Sequence, residues 1–127
     1  MFRLGILTAA AGCLSGCSDG CGNDVVSRAV APDGLHSALI FQRDCGATTG
    51  FSTQIAVLAA GEEPSGSGNA FVADEGQGAV RGGWGGPWAA TKWVDGRTLL
   101  IRYASGSHVY EQSRQVKGVT ITYEVAH

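Results

Sequence analysis

Residues 90–103, ATKWVDGRTLLIRY, decide the fold class of this chain. An Asp-Gly pair between two apolar-rich runs is the strongest short signal for a tight β hairpin. Leu99, Ile101 and Tyr103 fall on one face of the second run, as the two-residue period of a strand requires. The predicted strands are 90–94 and 98–103, joined by Asp95-Gly96-Arg97.

A second hairpin is expected at the carboxyl end of the chain. In residues 119–125, VTITYEV, the Val, Ile and Tyr side chains point one way, and the Thr and Glu side chains point the other. Alternation this strict is typical of a half-buried strand. We expect it to pair with 109–116 across Lys117-Gly118.

Further strands are expected upstream, at 35–43, 53–58 and 70–73. The first follows Ala31-Pro32-Asp33-Gly34, in which Pro and Gly suit a type I turn, and it forms a long-looped hairpin with the second. No stretch of the chain beyond the amino-terminal segment shows the 3.6-residue apolar period of a helix. The sequence therefore predicts a mainly β protein with little helix, an antiparallel meander of about six or seven strands folded as a sandwich or a partial barrel.

Composition excludes several classes of protein. A length of 127 residues allows one domain. Only 16% of the residues are charged, and the net charge of −2 comes with no basic cluster, so we expect no nucleic-acid partner. No apolar run reaches the ~18–20 residues that a membrane-spanning helix needs.

The amino terminus has the layout of an export signal. Residues 1–16, MFRLGILTAAAGCLSG, place one positive charge before an apolar run that ends in small residues. Leu14-Ser15-Gly16-Cys17 resembles the lipobox of bacterial lipoproteins, in which the signal is cut before the cysteine and the thiol carries diacylglycerol. The alternatives are an ordinary cleaved signal, a buried amino-terminal helix with an unmodified Cys17, and a cut before Cys13.

The resemblance implies a lipid-anchored protein of the cell envelope that faces the periplasm. Cys17 is then the lipidation site, and Ser18 in place of Asp favours the outer membrane in a Gram-negative host. Residues 17–30 are expected to be a polar, Gly-containing tether, and residues 31–127 the β domain.

Export also bears on the remaining cysteines, because disulfides persist outside the cytoplasm. With Cys13 removed in the signal and Cys17 lipidated, Cys21 and Cys45 are the pair left to form a disulfide. The alternative is that Cys21 lies in a mobile tether and both thiols stay free or pair elsewhere.

Taken together, the lipobox, the Pro-Asp-Gly turn, the Cys-Gly-Ala-Thr-Thr-Gly loop at 45–50 and the terminal hairpins are similar to small uncharacterised bacterial lipoproteins with a domain of unknown function. Two hairpins are also blade-like in sequence, although the chain is too short for a β propeller. The resemblance implies no activity.

Two segments are candidate binding surfaces. Thr48 and Thr49 offer hydroxyl donors in the 43–50 loop, although they can equally bond their own backbone. Trp84 and Trp88 lie on a Gly-rich segment that could form a platform for a glycan or a peptide, although such rings can equally be core residues.

Catalytic residues are not indicated. The three histidines, His36, His108 and His127, lack the spacing of metal ligands. A thiol-dependent enzyme that uses Cys45 and His108 is the least favoured hypothesis. No cofactor or metal is expected. We expect a non-catalytic structural or binding domain with the membrane as one partner and an envelope protein or the cell wall as a candidate second; the alternative is a glycan- or peptide-binding module built on the Trp/Gly-rich segment.

Overall fold

A computed structural model describes residues 21–45 and 51–127, which form nine β strands and no helix. The strands are β1 (Gly22–Val30), β2 (His36–Asp44), β3 (Ser52–Ala59), β4 (Phe71–Asp74), β5 (Ala89–Asp95), β6 (Thr98–Ala104), β7 (His108–Gln112), β8 (Gln115–Val116) and β9 (Val119–Ala126). They make two sheets, ordered β1-β2-β3-β4-β7 and β5-β6-β9-β8, and this confirms the predicted mainly β class.

The first sheet is antiparallel throughout. The predicted turn at 31–34 joins β1 to β2: the Gly34 amide donates to the Ala31 carbonyl at 2.8 Å, and Gly34 has a φ of 76°, which glycine adopts without strain. The predicted hairpin of residues 35–43 with residues 53–58 is confirmed: it is formed by β2 and β3, with Ile40 opposite Ile55 at its centre.

β1 corrects the expected domain boundary. Its nine residues replace most of the flexible tether expected over 17–30, so the β domain begins well before residue 31. An edge strand needs only one paired side and can keep polar, exposed residues, and the bulge at Val26 breaks the two-residue alternation that would have revealed it. The predicted Cys21–Cys45 disulfide is confirmed and ties the start of β1 to the end of β2.

The second sheet contains the hairpin from which the fold class was inferred. β5 and β6 pair antiparallel, as predicted, and the register places Trp93 opposite Leu99. β6 then pairs with β9 in parallel, Leu99 opposite Ile121.

The expected hairpin of 109–116 with 119–125 is wrong in most of its length. Only Gln115 and Val116 pair with β9, across a turn in which Lys117 and Gly118 both have positive φ. β7 instead pairs with β4 in the first sheet. The chain changes sheets near Ser113, whose amide donates to the Ala70 carbonyl at 2.8 Å and whose carbonyl accepts from the Tyr123 hydroxyl at 2.6 Å.

The inner faces of the two sheets share one hydrophobic core, so the molecule is a sandwich rather than a barrel. Both sheets contribute buried side chains: Ile40, Ile55, Val57 and Phe71 from the first, and Leu99, Ile101, Val119 and Ile121 from the second. The Phe71 ring lies 5.1 Å from that of Tyr103 and 6.1 Å from that of Tyr123, so aromatic contacts join the sheets at β4.

The outer face of the first sheet is also covered. Leu39 and Phe41 point away from the inter-sheet core, yet both are 0% exposed. Residues 60–69, here called the strap, are bonded to β1 on one side and to β3 on the other, so they cross β2 between them. The strap therefore explains how β2 comes to be apolar on both faces.

Candidate functional site: a groove on the outer face of the first sheet

Beside the strap, the outer face of the first sheet opens into a groove of about 550 Å³. Four adjacent strands supply its floor, with side chains from Arg43 (β2), Ser52 and Gln54 (β3), Val72 and Asp74 (β4) and Tyr110 (β7). Its rim includes Ser67 of the strap together with Cys45, Phe51, Glu75 and Gly76.

Strand register sets the order of the charged groups across the groove. Ser52 lies opposite Asp74, and the Ser52 hydroxyl donates to the Arg43 carbonyl at 3.4 Å. Arg43, Ser52 and Asp74 therefore follow one another across three neighbouring strands. At a strand spacing of about 4.8 Å, the backbones of Arg43 and Asp74 are about 10 Å apart, so the groove is cationic on one side and anionic on the other.

Asp74 accepts more hydrogen bonds than Glu75, the other carboxylate that lines the groove. Its Oδ2 accepts from the Tyr110 hydroxyl at 2.7 Å, and its Oδ1 accepts from the Gly76 amide at 3.3 Å. His108 Nδ1 lies 3.7 Å from the same Oδ1, and the His108 ring packs 4.4 Å from that of Tyr110. The hydrogen bond to Asp74 raises the pKa of the Tyr110 phenol above its ordinary value, since ionisation would break it.

The polar floor is held in place by the strap. Gln54 donates through Nε2 to the Ser52 hydroxyl at 3.2 Å and accepts from the Gly68 amide at 2.8 Å. Gly68 itself approaches β3 so closely that a Cβ there would lie 2.7 Å from the Ile55 carbonyl oxygen. On the other side, Arg43 donates to the Asn23 side chain at 2.8 Å.

Two aromatic rings on the groove are accessible to solvent. Phe51 is 49% exposed and Tyr110 is 60% exposed. Glu75 on the same rim forms an ion pair with Arg81. The groove thus combines exposed aromatic surface, one guanidinium and two carboxylates.

The predicted tryptophans contribute to packing rather than to this groove. Trp84 donates through Nε1 to the Thr53 hydroxyl at 2.8 Å, and its ring lies against Gly82, where a Cβ would be 2.3 Å from the ring. Trp93 donates to the Ala29 carbonyl at 2.8 Å and so links β5 to β1.

Trp88 lies at a different place from Trp84. It lines a separate cavity of about 250 Å³ with Val80, Ala104 and the carboxyl-terminal residues, and the Arg102 guanidinium lies 5.9 Å from its ring centroid. Trp84 and Trp88 therefore do not share one platform.

Three predicted site residues, Cys17, Thr48 and Thr49, lie outside the described residues. Cys45 is bonded to Cys21, and His108 is engaged with Asp74 and Tyr110. In this oxidised form Cys45 has no thiol for the thiol-enzyme alternative.

Sequence reasoning missed Arg43, Gln54, Asp74 and Tyr110 as site residues. They lie on four strands and share no local motif. The available signal was weak: Gln54, Asp74 and Tyr110 each adjoin one apolar residue in a strand, whereas Arg43 stands between two polar residues. That pattern indicates a polar outer face, but the pairing of β4 with β7 was needed to bring Asp74 and Tyr110 together.

The fold and groove define an antiparallel-rich β sandwich with a strap-covered outer face. The chain matches no protein-family model, no curated protein and no solved structure. Across residues 21–45 and 51–127, no helix has the length and hydropathy to cross a membrane. Over the same residues, no three His, Cys, Asp or Glu side chains cluster as metal ligands would.

Proposed function

We propose that this protein is an envelope lipoprotein, anchored through Cys17 and facing the periplasm, whose β sandwich is a non-catalytic binding module. The observation that carries the proposal is Leu14-Ser15-Gly16-Cys17 after an apolar segment. The Cys21–Cys45 disulfide supports export, because such bonds persist in oxidising compartments. Two or three acyl chains would hold the protein more firmly than the marginal grip of a single chain.

The groove supports binding better than nucleophilic catalysis. The Ser52 hydroxyl donates to a backbone carbonyl and accepts from Gln54, so it is not placed against a general base. Asp74 accepts from Tyr110 and from a backbone amide, which stabilises a fixed carboxylate. These contacts hold charged and aromatic groups in position, as a recognition surface requires.

The Trp/Gly-rich segment is better explained as a structural element. Trp84 uses its indole N–H within the domain, and Trp88 lines a separate cavity, so the two predicted rings do not form one platform. A glycan platform needs exposed ring faces and polar groups directed to the ligand, so the glycan- or peptide-binding alternative receives no support from these two rings.

The anchor is tested by feeding cells an alkyne fatty acid and detecting its attachment to the protein. We expect label in the wild type and in Cys13→Ser, and none in Cys17→Ser. An unlabelled wild-type protein would refute the lipoprotein proposal. Loss of label in Cys13→Ser with its retention in Cys17→Ser would move the anchor to the other cysteine.

Membrane fractionation of the same variants tests the location. The wild type and Cys13→Ser should sediment with membranes and should be released by detergent but not by high salt, because acyl chains rather than surface charges hold them.

A further inference from the structure

We propose that the edge of β9 beyond β8 binds an extended peptide segment of a partner protein, which adds an antiparallel strand to the second sheet. The site is residues 122–126, here called the open edge. It lies apart from the groove of the first sheet, and peptide binding there does not depend on the lipid anchor. Main-chain hydrogen bonds supply the affinity in this kind of recognition, and alternate side chains supply the specificity.

β8 covers only the start of β9. The pairing ends at Gln115 with Thr120, and one further bond, from the Ile121 amide to the Arg114 carbonyl, has a length of 2.9 Å. Within the described residues, no strand pairs with 122–126 on the side of β9 away from β6. The open edge is therefore about as long as an average strand.

The open edge directs the backbone groups of alternate residues to the vacant side. The Ala126 carbonyl accepts from the Ser105 amide on the β6 side at 3.0 Å, whereas the Ile121 amide donates towards β8. Even-numbered residues of β9 thus bond towards β6, and the odd-numbered Tyr123 and Val125 present their N–H and C=O groups to the vacant side. These are the donors and acceptors that an antiparallel strand would pair with.

β7 forms the floor of the vacant position. The Phe71 ring of β4 packs against Tyr103 of β6 and Tyr123 of β9, so β4 faces these two strands across the core. β7 is the next strand after β4 in the first sheet and therefore lies beyond β9. Its Val109 is only partly buried against the core. An added strand would continue the line of β8 and lie over β7.

The inner face of β9 loses its cover where β8 ends. Val119 and Ile121, beside β8, are 0% and 1% exposed, whereas Val125, two turns of the alternation further on, is 41% exposed. Burying such a side chain is favourable in proportion to the apolar area removed from water. We therefore expect apolar residues at the inward-facing positions of the added segment.

Glu124, on the outer face of the open edge, disfavours a second copy of this chain as the occupant. A two-fold pairing that used the whole open edge of both copies would place the two Glu124 side chains directly opposite each other, and like charges in that position are destabilising. Arg102 donates to Glu124 at 3.0 Å from β6, on the other side of β9. A basic residue of an added strand would approach the carboxylate from the vacant side, so we expect lysine or arginine opposite Glu124.

The test uses the full chain with its disulfide intact and, as the probe, the acetylated and amidated peptide Thr-Val-Lys-Val-Thr. In the antiparallel register its valines lie opposite Tyr123 and Val125, and its lysine lies opposite Glu124. Amide hydrogen exchange is followed residue by residue by NMR. We expect exchange at Tyr123 and Val125 to slow about threefold when the peptide concentration is twice its Kd. Exchange at Glu124, whose amide faces β6, should not change.

Matched peptides separate strand pairing from other adhesion. Methylating the backbone nitrogen of both valines removes the two N–H donors that face β9, so the protection should be lost. Methylating the lysine nitrogen, which faces away from β9, should leave the protection unchanged. The opposite result would contradict the antiparallel register.

Charge variants test the role of Glu124. Thr-Val-Glu-Val-Thr should bind about threefold more weakly than the lysine peptide, the size expected for one cross-strand charge pair. Glu124→Gln should remove this difference. Glu63→Gln, which breaks the similarly exposed ion pair with Arg28, should leave it. Thermal unfolding checks that both variants keep the fold, and if Glu124→Gln unfolds, the two peptides on the wild type decide the charge preference.

Three outcomes overturn the proposal. Unchanged exchange at Tyr123 and Val125 with millimolar lysine peptide excludes strand addition at the open edge. Equal slowing at odd-numbered and even-numbered residues of β9 shows general stabilisation rather than pairing. Self-association that protects Tyr123 and Val125 without any peptide assigns the edge to a second copy of this chain.

Discussion

Replacing Thr53 with Val tests how the Trp/Gly-rich segment is fastened to the sandwich. Thr53 is 0% exposed on the inner face of β3. Its hydroxyl accepts from Trp84 Nε1 at 2.8 Å and donates to the Pro87 carbonyl at 2.6 Å. Valine has nearly the same shape, so the substitution removes both hydrogen bonds while leaving the packing in place.

The expected loss of stability is set by the two groups that lose a hydrogen-bond partner, the Trp84 indole N–H and the Pro87 carbonyl. Each hydrogen bond contributes about 1 kcal/mol net, and a buried group left without a partner costs about 1–3 kcal/mol. The Pro87 side is buried and the Trp84 side is half-buried, so we expect Thr53→Val to lower the free energy of unfolding by about 2–4 kcal/mol. That is a large share of the roughly 5–15 kcal/mol of a typical domain.

Thr53→Ser is the matched control. It keeps the hydroxyl and removes one methyl group, so it should cost about 1 kcal/mol. Urea unfolding followed by tryptophan fluorescence and by far-ultraviolet circular dichroism measures both variants. A cycle with Trp84→Phe, which removes the indole N–H, should show coupling to Thr53→Val, because the two positions share one bond. If Thr53→Val costs no more than Thr53→Ser, the hydroxyl does not fasten this segment.

Three further predictions concern the disulfide, the half-buried phenol of Tyr123 and the strap. Reducing the Cys21–Cys45 disulfide should lower the free energy of unfolding by about 3 kcal/mol and speed amide hydrogen exchange in β1. Unchanged exchange would show that the disulfide does not hold β1 in place. Burial raises the pKa of Tyr123, so the phenol ionises in the unfolded chain at a lower pH than in the folded one, and the free energy of unfolding should fall as the pH rises above about 10. Tyr123→Phe should reduce this dependence of stability on pH, measured by urea unfolding at a series of pH values. Gly68→Ala should cost about 1–3 kcal/mol, since its Cβ would meet the backbone at 2.7 Å, whereas Gly66→Ala, with open space, should cost little by the same assay.

Local signals predicted those elements whose partners are near in the chain. Asp95-Gly96 and the flanking apolar runs specified the β5–β6 hairpin, and Pro32-Asp33-Gly34 specified the turn into β2. The strap was not predictable in this way. Its contacts, such as that of Asn23 with the Pro64 carbonyl, join residues 41 positions apart and involve ordinary polar side chains.

The candidate site illustrates the same division. Cys17, Thr48, Thr49, Trp84 and Trp88 were selected because they stand in distinctive strings. Arg43, Asp74 and Tyr110, which line the groove, stand in unremarkable strands. Their proximity depends on β7 leaving its sequence neighbours and pairing with β4.

By itself the sequence determined the β class, the two tight turns at 31–34 and 95–97, and the cysteine pair. Each of these depends on residue type and on spacing along the chain, because backbone geometry and alternation act over a few residues. Tertiary structure alone decided the parallel β6–β9 pair, the β4–β7 pair and hence the groove. These pairings form because they bury Phe71, Ile101 and Ile121 in one shared core. The favourable free energy of that burial comes from residues far apart in the chain, so no local sequence pattern indicates it.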